Sequence, residues 1–108
     1  MLRVELMDSA GRTAYLAGMH AAQALIFERS DRIVKRHRGV QSELHRITRG
    51  NPVFDLELAA FLGRSYNFKA IADYGTGPDS HISVEEARGA ITTVRRFIAA
   101  IEVLLEQR

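Results

Sequence analysis

The spacing of apolar residues constrains the fold of this 108-residue chain more than any other feature. Along most of the sequence they recur every three or four positions, which places them on one face of an α-helix. The first such series predicts a helix over about residues 2–28 and consists of Tyr15, Met19, Ala22 and Ile26. No stretch combines a sustained alternation of apolar and polar residues with β-branched enrichment, so the sequence predicts no strand.

Two short breaks interrupt the helical spacing, at residues 50–52 and 75–80, and they contain the two prolines of the chain. Clusters of Gly, Pro, Asn and Asp of this kind separate elements. Further helices are therefore predicted over about residues 37–49 and 55–73, and from residue 83 onward. Short connections between amphipathic helices are typical of an antiparallel up-down bundle, here an all-α bundle of about four helices.

The predicted helices carry apolar stripes and recognisable ends. The stripes of the second, third and fourth helices are Val40, Leu44 and Ile47; Leu58, Leu62, Tyr66 and Ala70; and Ala87, Ile91, Val94, Ile98, Ile101 and Leu105. Gly50 fits the residue that follows a helix, and Asp55 fits an N-cap. Ser83 and Glu86 fit a capping box. We expect residues 1–108 to form a single domain.

Composition excludes several classes of protein and site. The chain has no cysteine, which excludes disulfides, zinc–thiolate sites and a cysteine nucleophile. No carboxylate–histidine cluster predicts a metal site, and no cofactor is expected. No apolar run approaches the roughly 18 residues that cross a membrane, and the N-terminus lacks the apolar segment of a signal peptide. We therefore expect a cytoplasmic protein that does not contact a membrane.

The basic residues are concentrated in one part of the chain. The net charge is only +2. Residues 28–49, however, hold seven basic and three acidic side chains. Arginine offers a planar fork of donors that suits phosphate oxygens, so this segment predicts contact with a nucleic-acid backbone. A solvated segment between two helices is the alternative interpretation.

Four segments together resemble the HEPN-domain family (higher eukaryotes and prokaryotes nucleotide-binding). Residues 9–25, SAGRTAYLAGMHAAQAL, resemble the family helix A-x-x-R-A-Y-Y-A-x-F-H-A-A-x-A-L. Residues 35–40, KRHRGV, are similar to K-x-H-x-G-V, and residues 69–74, KAIADY, to R-x-x-A-D-Y. Residues 83–87, SVEEA, match a common start of the last family helix. The resemblance covers about residues 9–107.

The resemblance implies an all-α bundle, frequently a homodimer. It also implies a nucleotidyltransferase or antitoxin partner within a two-component system. Many members are metal-independent ribonucleases with an R-x(4–6)-H pair that meets its copy across the dimer. This chain has Lys69 and Tyr74 at the corresponding place, and tyrosine, with an ordinary pKa near 10, is a poorer base than histidine. Members usually carry a further helix before the one at residues 9–25, so we expect bare apolar surface that a second copy or a partner protein covers.

Two overlapping sets of residues are candidates for function. The catalytic candidates are Lys69, Asp73, Tyr74 and His37. The candidates for nucleotide or RNA binding are Arg12, Tyr15, Lys35, Arg36, His37 and Arg38. Structural roles are the alternatives: Arg12 and Tyr15 would contact a carboxylate on another helix, and His37 would pack against Tyr74 or a neighbouring loop. Arg32 and His37 also fit an R-x4-H spacing, and His20 is a core or interface histidine or else a ligand.

Three functions compete on these grounds. The leading hypothesis is a binding protein for a nucleotide, an RNA or a cognate protein, within a system of the toxin–antitoxin kind. The second is a ribonuclease with a substituted lysine–tyrosine site. The third is a dimerisation scaffold without a ligand.

Overall fold

Four α-helices make up the protein in a computed structural model that describes residues 2–74 and 81–107. They are α1 (Leu2–Ser30), α2 (His37–Thr48), α3 (Leu56–Tyr74) and α4 (Val84–Glu106). The described residues contain no strand. The predicted all-α bundle is confirmed, whereas the predicted break at residues 75–80 lies outside the described part of the chain.

Helices α1, α2 and α4 run in one direction along the bundle and α3 runs in the opposite direction, so the predicted up-down alternation is not kept between α1 and α2. Helices α1 and α4 run the same way, because Asp8 accepts from the backbone N–H of Ile82 at 2.9 Å and Arg29 donates to the carbonyl of Leu104 at 2.7 Å. Helix α3 runs against them, since Arg12 near the start of α1 meets Asp73 near the end of α3.

Residues 31–36 form neither helix nor strand and run back along α1 before α2 begins. The Gln23 side chain donates to the carbonyl of Val34 at 2.9 Å and holds this segment against α1. Helix α2 therefore starts beside the middle of α1, where the His37 ring meets the Tyr15 hydroxyl. The returning segment gives the bundle its basic flank.

The core lies between α1 and its neighbours α3 and α4. Leu25, Ile26 and Phe97 are fully buried there, and each such side chain stabilises the fold by roughly 1.5–3 kcal/mol. Gly18 lets α1 and α3 approach closely, because a Cβ at this position would lie 2.6 Å from Cε2 of Phe61.

The helix ends follow the predicted signals. Gly50 has a φ of 76°, a left-handed conformation that glycine adopts without steric cost after a helix. The Asp55 carboxylate accepts from the backbone N–H of Leu58 at 2.9 Å. Ser83 and Glu86 exchange two hydrogen bonds of 3.0 Å in a complete capping box.

Two predicted stripes are wrong at individual positions. Helix α4 turns Phe97 and Leu104 into the core, whereas Ile91 is 37% exposed. The buried face is therefore rotated from the predicted one, because α4 packs against α1 and α3 at once. Tyr66, predicted in the α3 core stripe, is 41% exposed and faces the start of α2.

Candidate functional site

Three aromatic side chains from three helices meet beside the start of α2. The Tyr15 hydroxyl lies 2.9 Å from Nδ1 of His37. The rings of His37 and Tyr66 stack with their centroids 4.3 Å apart. Tyr15 and Tyr66 meet edge to face at 5.6 Å. We call Tyr15, His37 and Tyr66 the aromatic cluster.

The fold positions each member of the aromatic cluster differently. Tyr15 is 3% exposed on the buried face of α1, so its ring is fixed by packing. His37 is the first residue of α2 and follows Arg36, whose backbone is extended. Tyr66 projects from α3 and keeps part of its ring in solvent. The buried side chain of Tyr15 thus orients the imidazole of His37, and the Tyr66 ring that stacks on this imidazole is partly exposed to solvent.

Burial sets the protonation states inside the cluster. Burial raises the pKa of Tyr15, the neighbouring Tyr66 adds to this, and Lys69 opposes it. Burial lowers the pKa of His37 below its ordinary value near 6.5, with a further contribution from Arg38. A protonated hydroxyl and a neutral imidazole therefore face each other, and the tautomer of His37 determines which of the two groups donates the hydrogen bond.

A group of three charged side chains adjoins the aromatic cluster, near the start of α1 and the end of α3. Asp73 receives Nζ of Lys69 at 2.8 Å and Nε of Arg12 at 3.1 Å. The hydrogen bond from Lys69 lowers the pKa of Asp73, and the bond to Asp73 raises the pKa of Lys69. All three groups are charged at neutral pH, and their sum is one positive charge.

An open groove of about 370 Å³ runs along the aromatic cluster and reaches the charged group at Lys69. Its walls include the aromatic cluster together with Lys69 and Lys35, and His20 and Gln23 complete the α1 side. The groove therefore presents aromatic rings between amines that belong to different elements. Arrangements of rings and cations of this kind suit a ligand that contains both bases and phosphates.

The structure brings four of the nine candidate residues from the sequence to this groove. They are Tyr15, Lys35, His37 and Lys69. Arg36 and Arg38 flank His37 on the surface and have no ion-pair partner among the described residues. The four candidates in the groove come from three separate segments of the chain.

Other candidates are placed differently from the expectation. Tyr66, not Tyr74, packs on His37. Tyr74 is 76% exposed, and its ring centre lies 5.9 Å from Nζ of Lys69. Arg32, which fits the R-x4-H spacing with His37, forms an ion pair with Glu43 of α2 at 2.7 Å, and this is a structural contact.

The sequence interpretation missed Tyr66 and Gln23 as neighbours of the site. One signal was present for Tyr66, because it precedes Lys69 by three positions and so shares its helix face. Gln23 gave no signal, since its role depends on the return of residues 31–36 along α1.

Metal binding has no support in the described part of the chain. No group of three or more His, Asp or Glu side chains in residues 2–74 and 81–107 comes close enough to hold an ion. None of the helices described is both long and apolar enough to cross a membrane.

The fold and the site define a small helical-bundle domain with an aromatic and basic groove on one flank. The sequence model of the HEPN domain matches residues 1–104, and the chain belongs to this family. Comparisons with curated proteins and with solved structures gave no match.

Proposed function

We propose that the protein binds RNA or a nucleotide in the groove beside the aromatic cluster. The observation that carries the proposal is the stack of His37 on Tyr66, which stands between Lys69 and Lys35 in one open groove. Base stacking on an aromatic ring contributes roughly 1–3 kcal/mol per base, and it needs nearby cations for the phosphates.

The proposed roles follow from exposure and charge. Tyr66 offers a partly exposed ring to a base, while Tyr15 holds the stack in place. Lys69 gives Asp73 one hydrogen bond, and an ammonium has three donors, so it can also contact a phosphate. Lys35, Arg36 and Arg38 extend the positive potential along the backbone of a longer ligand.

A metal-independent ribonuclease is the second candidate, and one observation favours it. His37 lines the groove, and its lowered pKa keeps the imidazole neutral near pH 7, as a general base requires. The catalytic roles proposed for Lys69, Asp73 and Tyr74 have weaker support. Lys69 and Asp73 already neutralise one another, and Tyr74 is largely in solvent.

The family supports a wider setting for this proposal. A cytoplasmic homodimer that works with a nucleotidyltransferase or an antitoxin would use the groove to hold RNA or a nucleotide. A scaffold without a ligand is the function that remains if the groove binds neither.

Fluorescence anisotropy with a labelled single-stranded RNA tests binding directly, in EDTA and at fixed salt. Tyr66→Leu and Lys69→Gln are expected to weaken binding about tenfold, the cost of one stacked base or one charged contact. Arg64→Gln is the matched control, because Arg64 is an exposed cation of α3 with no partner among the described residues. Equal affinity for all four proteins contradicts the proposed site.

The same mixtures, run on a denaturing gel, separate binding from cleavage. Intact RNA with the wild-type protein supports the binding function. Cleavage in EDTA that disappears in both His37→Ala and Lys69→Ala identifies a ribonuclease. Cleavage that persists in both variants comes from a contaminant.

A further inference from the structure

Among the described residues that line the groove beside the aromatic cluster, Gln23 alone has a side-chain carbonyl group. It belongs to α1, as does His20, and the amines of Lys35 and Lys69 line the same groove. No aspartate or glutamate is among these lining residues. The groove therefore offers charged donors that suit phosphates, and the amide oxygen of Gln23 is an acceptor of a different kind among them.

One hydrogen bond fixes the orientation of this amide. Nε2 of Gln23 donates to the carbonyl oxygen of Val34 at 2.9 Å. Because a carbonyl oxygen can only accept, the amide nitrogen and not Oε1 faces Val34. Oε1 accepts a hydrogen bond from none of the described residues. The amide is thus held through its nitrogen, and its oxygen remains available to a ligand in the groove.

Gln23 and Tyr66 contact different parts of a ligand. The Tyr66 ring meets Tyr15 edge to face. Gln23 follows Tyr15 by eight residues, which is about 12 Å along α1. This distance exceeds the length of a single nucleobase, so a base that stacks on Tyr66 does not reach the amide. The amide is within reach of the next base of a chain, close to Lys35, which directly follows Val34.

We infer that Gln23 selects the base at this second position and favours one that carries an exocyclic amine. The inference rests on the proposed function, because it requires a chain of nucleotides in the groove. The amine of cytosine or adenine donates a hydrogen bond to Oε1. Uracil and hypoxanthine have a carbonyl oxygen at the same corner of the ring, where it would face Oε1 as a second acceptor. Gln23 is therefore a specificity-determining residue of the groove.

A purely structural role for Gln23 leads to a different expectation. The bond to Val34 holds residues 31–36 against α1 and so supports the positions of Lys35 and His37. Loss of that bond alone would weaken the binding of every oligonucleotide by a similar factor. The ratio of affinities between amine-bearing and carbonyl-bearing bases is the quantity that a structural role leaves unchanged.

Fluorescence anisotropy with short labelled oligonucleotides of equal length measures this ratio, in EDTA and at fixed salt. Oligocytidine and oligouridine form the first pair, since their rings have the same size. Oligoadenosine and oligoinosine form the second. The wild-type protein is expected to bind the amine-bearing member of each pair about fivefold more tightly, the factor that one typical hydrogen bond contributes.

Gln23→Lys separates the amide oxygen from the bond to Val34. Lysine can still donate to the Val34 carbonyl, but it has no acceptor, and its ammonium can donate to a base carbonyl. The ratio is expected to fall to one or below in both pairs, whatever the added charge does to the overall affinity. Gln41→Lys is the matched control, because Gln41 of α2 does not line the groove. It is expected to keep the fivefold ratio, and thermal melting checks that both variants are folded.

Equal affinity within both pairs overturns the inference and leaves the proposed function in place. A ratio that Gln23→Lys retains has the same meaning, because another group then reads the base. A preference in only one pair contradicts selection by the amine, which the two pairs share. Failure of all four oligonucleotides to bind is a separate result, since it overturns the proposed function itself.

Discussion

Tyr15 and His37 are 22 positions apart in the chain, and the hydroxyl of one lies 2.9 Å from Nδ1 of the other. This contact joins the buried face of α1 to the first residue of α2. It is also the point at which the core meets the proposed ligand groove. The packing of the bundle therefore determines which way the groove histidine faces.

Tyr15→Phe removes this hydrogen bond and keeps the ring. We expect the free energy of unfolding to decrease by about 1 kcal/mol, as for a typical intramolecular hydrogen bond. The pKa of His37 is expected to shift, and its direction identifies the donor: loss of a hydroxyl that donates to Nδ1 raises the pKa, whereas loss of a hydroxyl that accepts from Nδ1 lowers it. Urea unfolding and an NMR titration of the ring protons measure the two effects, and an unchanged titration would contradict the hydrogen bond between Tyr15 and His37.

The stability of the protein is expected to decrease as the pH falls through about 6.5. The folded pKa of His37 lies below its ordinary value. Above pH 6.5 the ring is neutral in both states. Below it the unfolded chain takes up the proton first, so the free energy of unfolding falls until the folded pKa is reached.

Urea midpoints at pH 7.5 and 5.5 measure this dependence. The carboxylates with lowered pKa, Asp73, Glu43 and Asp55, lose their contribution only at lower pH, below about 4. His37→Gln is the control and is expected to show a smaller decrease. An equal decrease in both proteins would assign the pH dependence to other groups.

Much of the fold could be predicted from the sequence, because its signals are local. Gly50, Asp55 and Ser83 mark helix ends through contacts within a few residues, and all three signals are confirmed. The position of Tyr66 could not be predicted in this way. Its spacing from Leu58 and Leu62 fits a core stripe, and only the long-range return of residues 31–36 places His37 against it.

The difference between local signals and long-range contacts also applies to the candidate site. The charged trio at the α1–α3 ends includes Lys69 and Asp73, whose spacing of four on one helix predicts their contact. The role of Arg12 in that trio depends on the direction of α3 relative to α1. The sequence therefore indicated which residues matter, while the tertiary fold determined how they combine.

Asp73→Asn separates the two candidate functions of the groove. The substitution removes the carboxylate that competes for Lys69 and Arg12. If the protein binds RNA, we expect affinity to increase about two- to fivefold, within the range of an exposed charge contact. If the protein is a ribonuclease that uses Asp73, cleavage is expected to fall instead. Anisotropy and gel assays on the same sample show which result occurs.

Gly18→Ala tests the close approach of α1 and α3. Alanine favours a helix over glycine by roughly 1 kcal/mol, but its Cβ would lie 2.6 Å from the Phe61 ring. We expect the contact to outweigh the gain, with a net loss of about 1–3 kcal/mol in the free energy of unfolding.

Gly89→Ala is the matched control for that experiment, since nothing lies within 4 Å of a Cβ built at Gly89 in α4. It is expected to raise the free energy of unfolding by up to about 1 kcal/mol, because only the helix preference changes. Combining Gly18→Ala with Phe61→Leu is expected to cost less than the sum of the two single changes, since the smaller side chain relieves the contact. Urea unfolding measures all four variants, and a stabilised Gly18→Ala protein would show that α1 and α3 pack less closely than described.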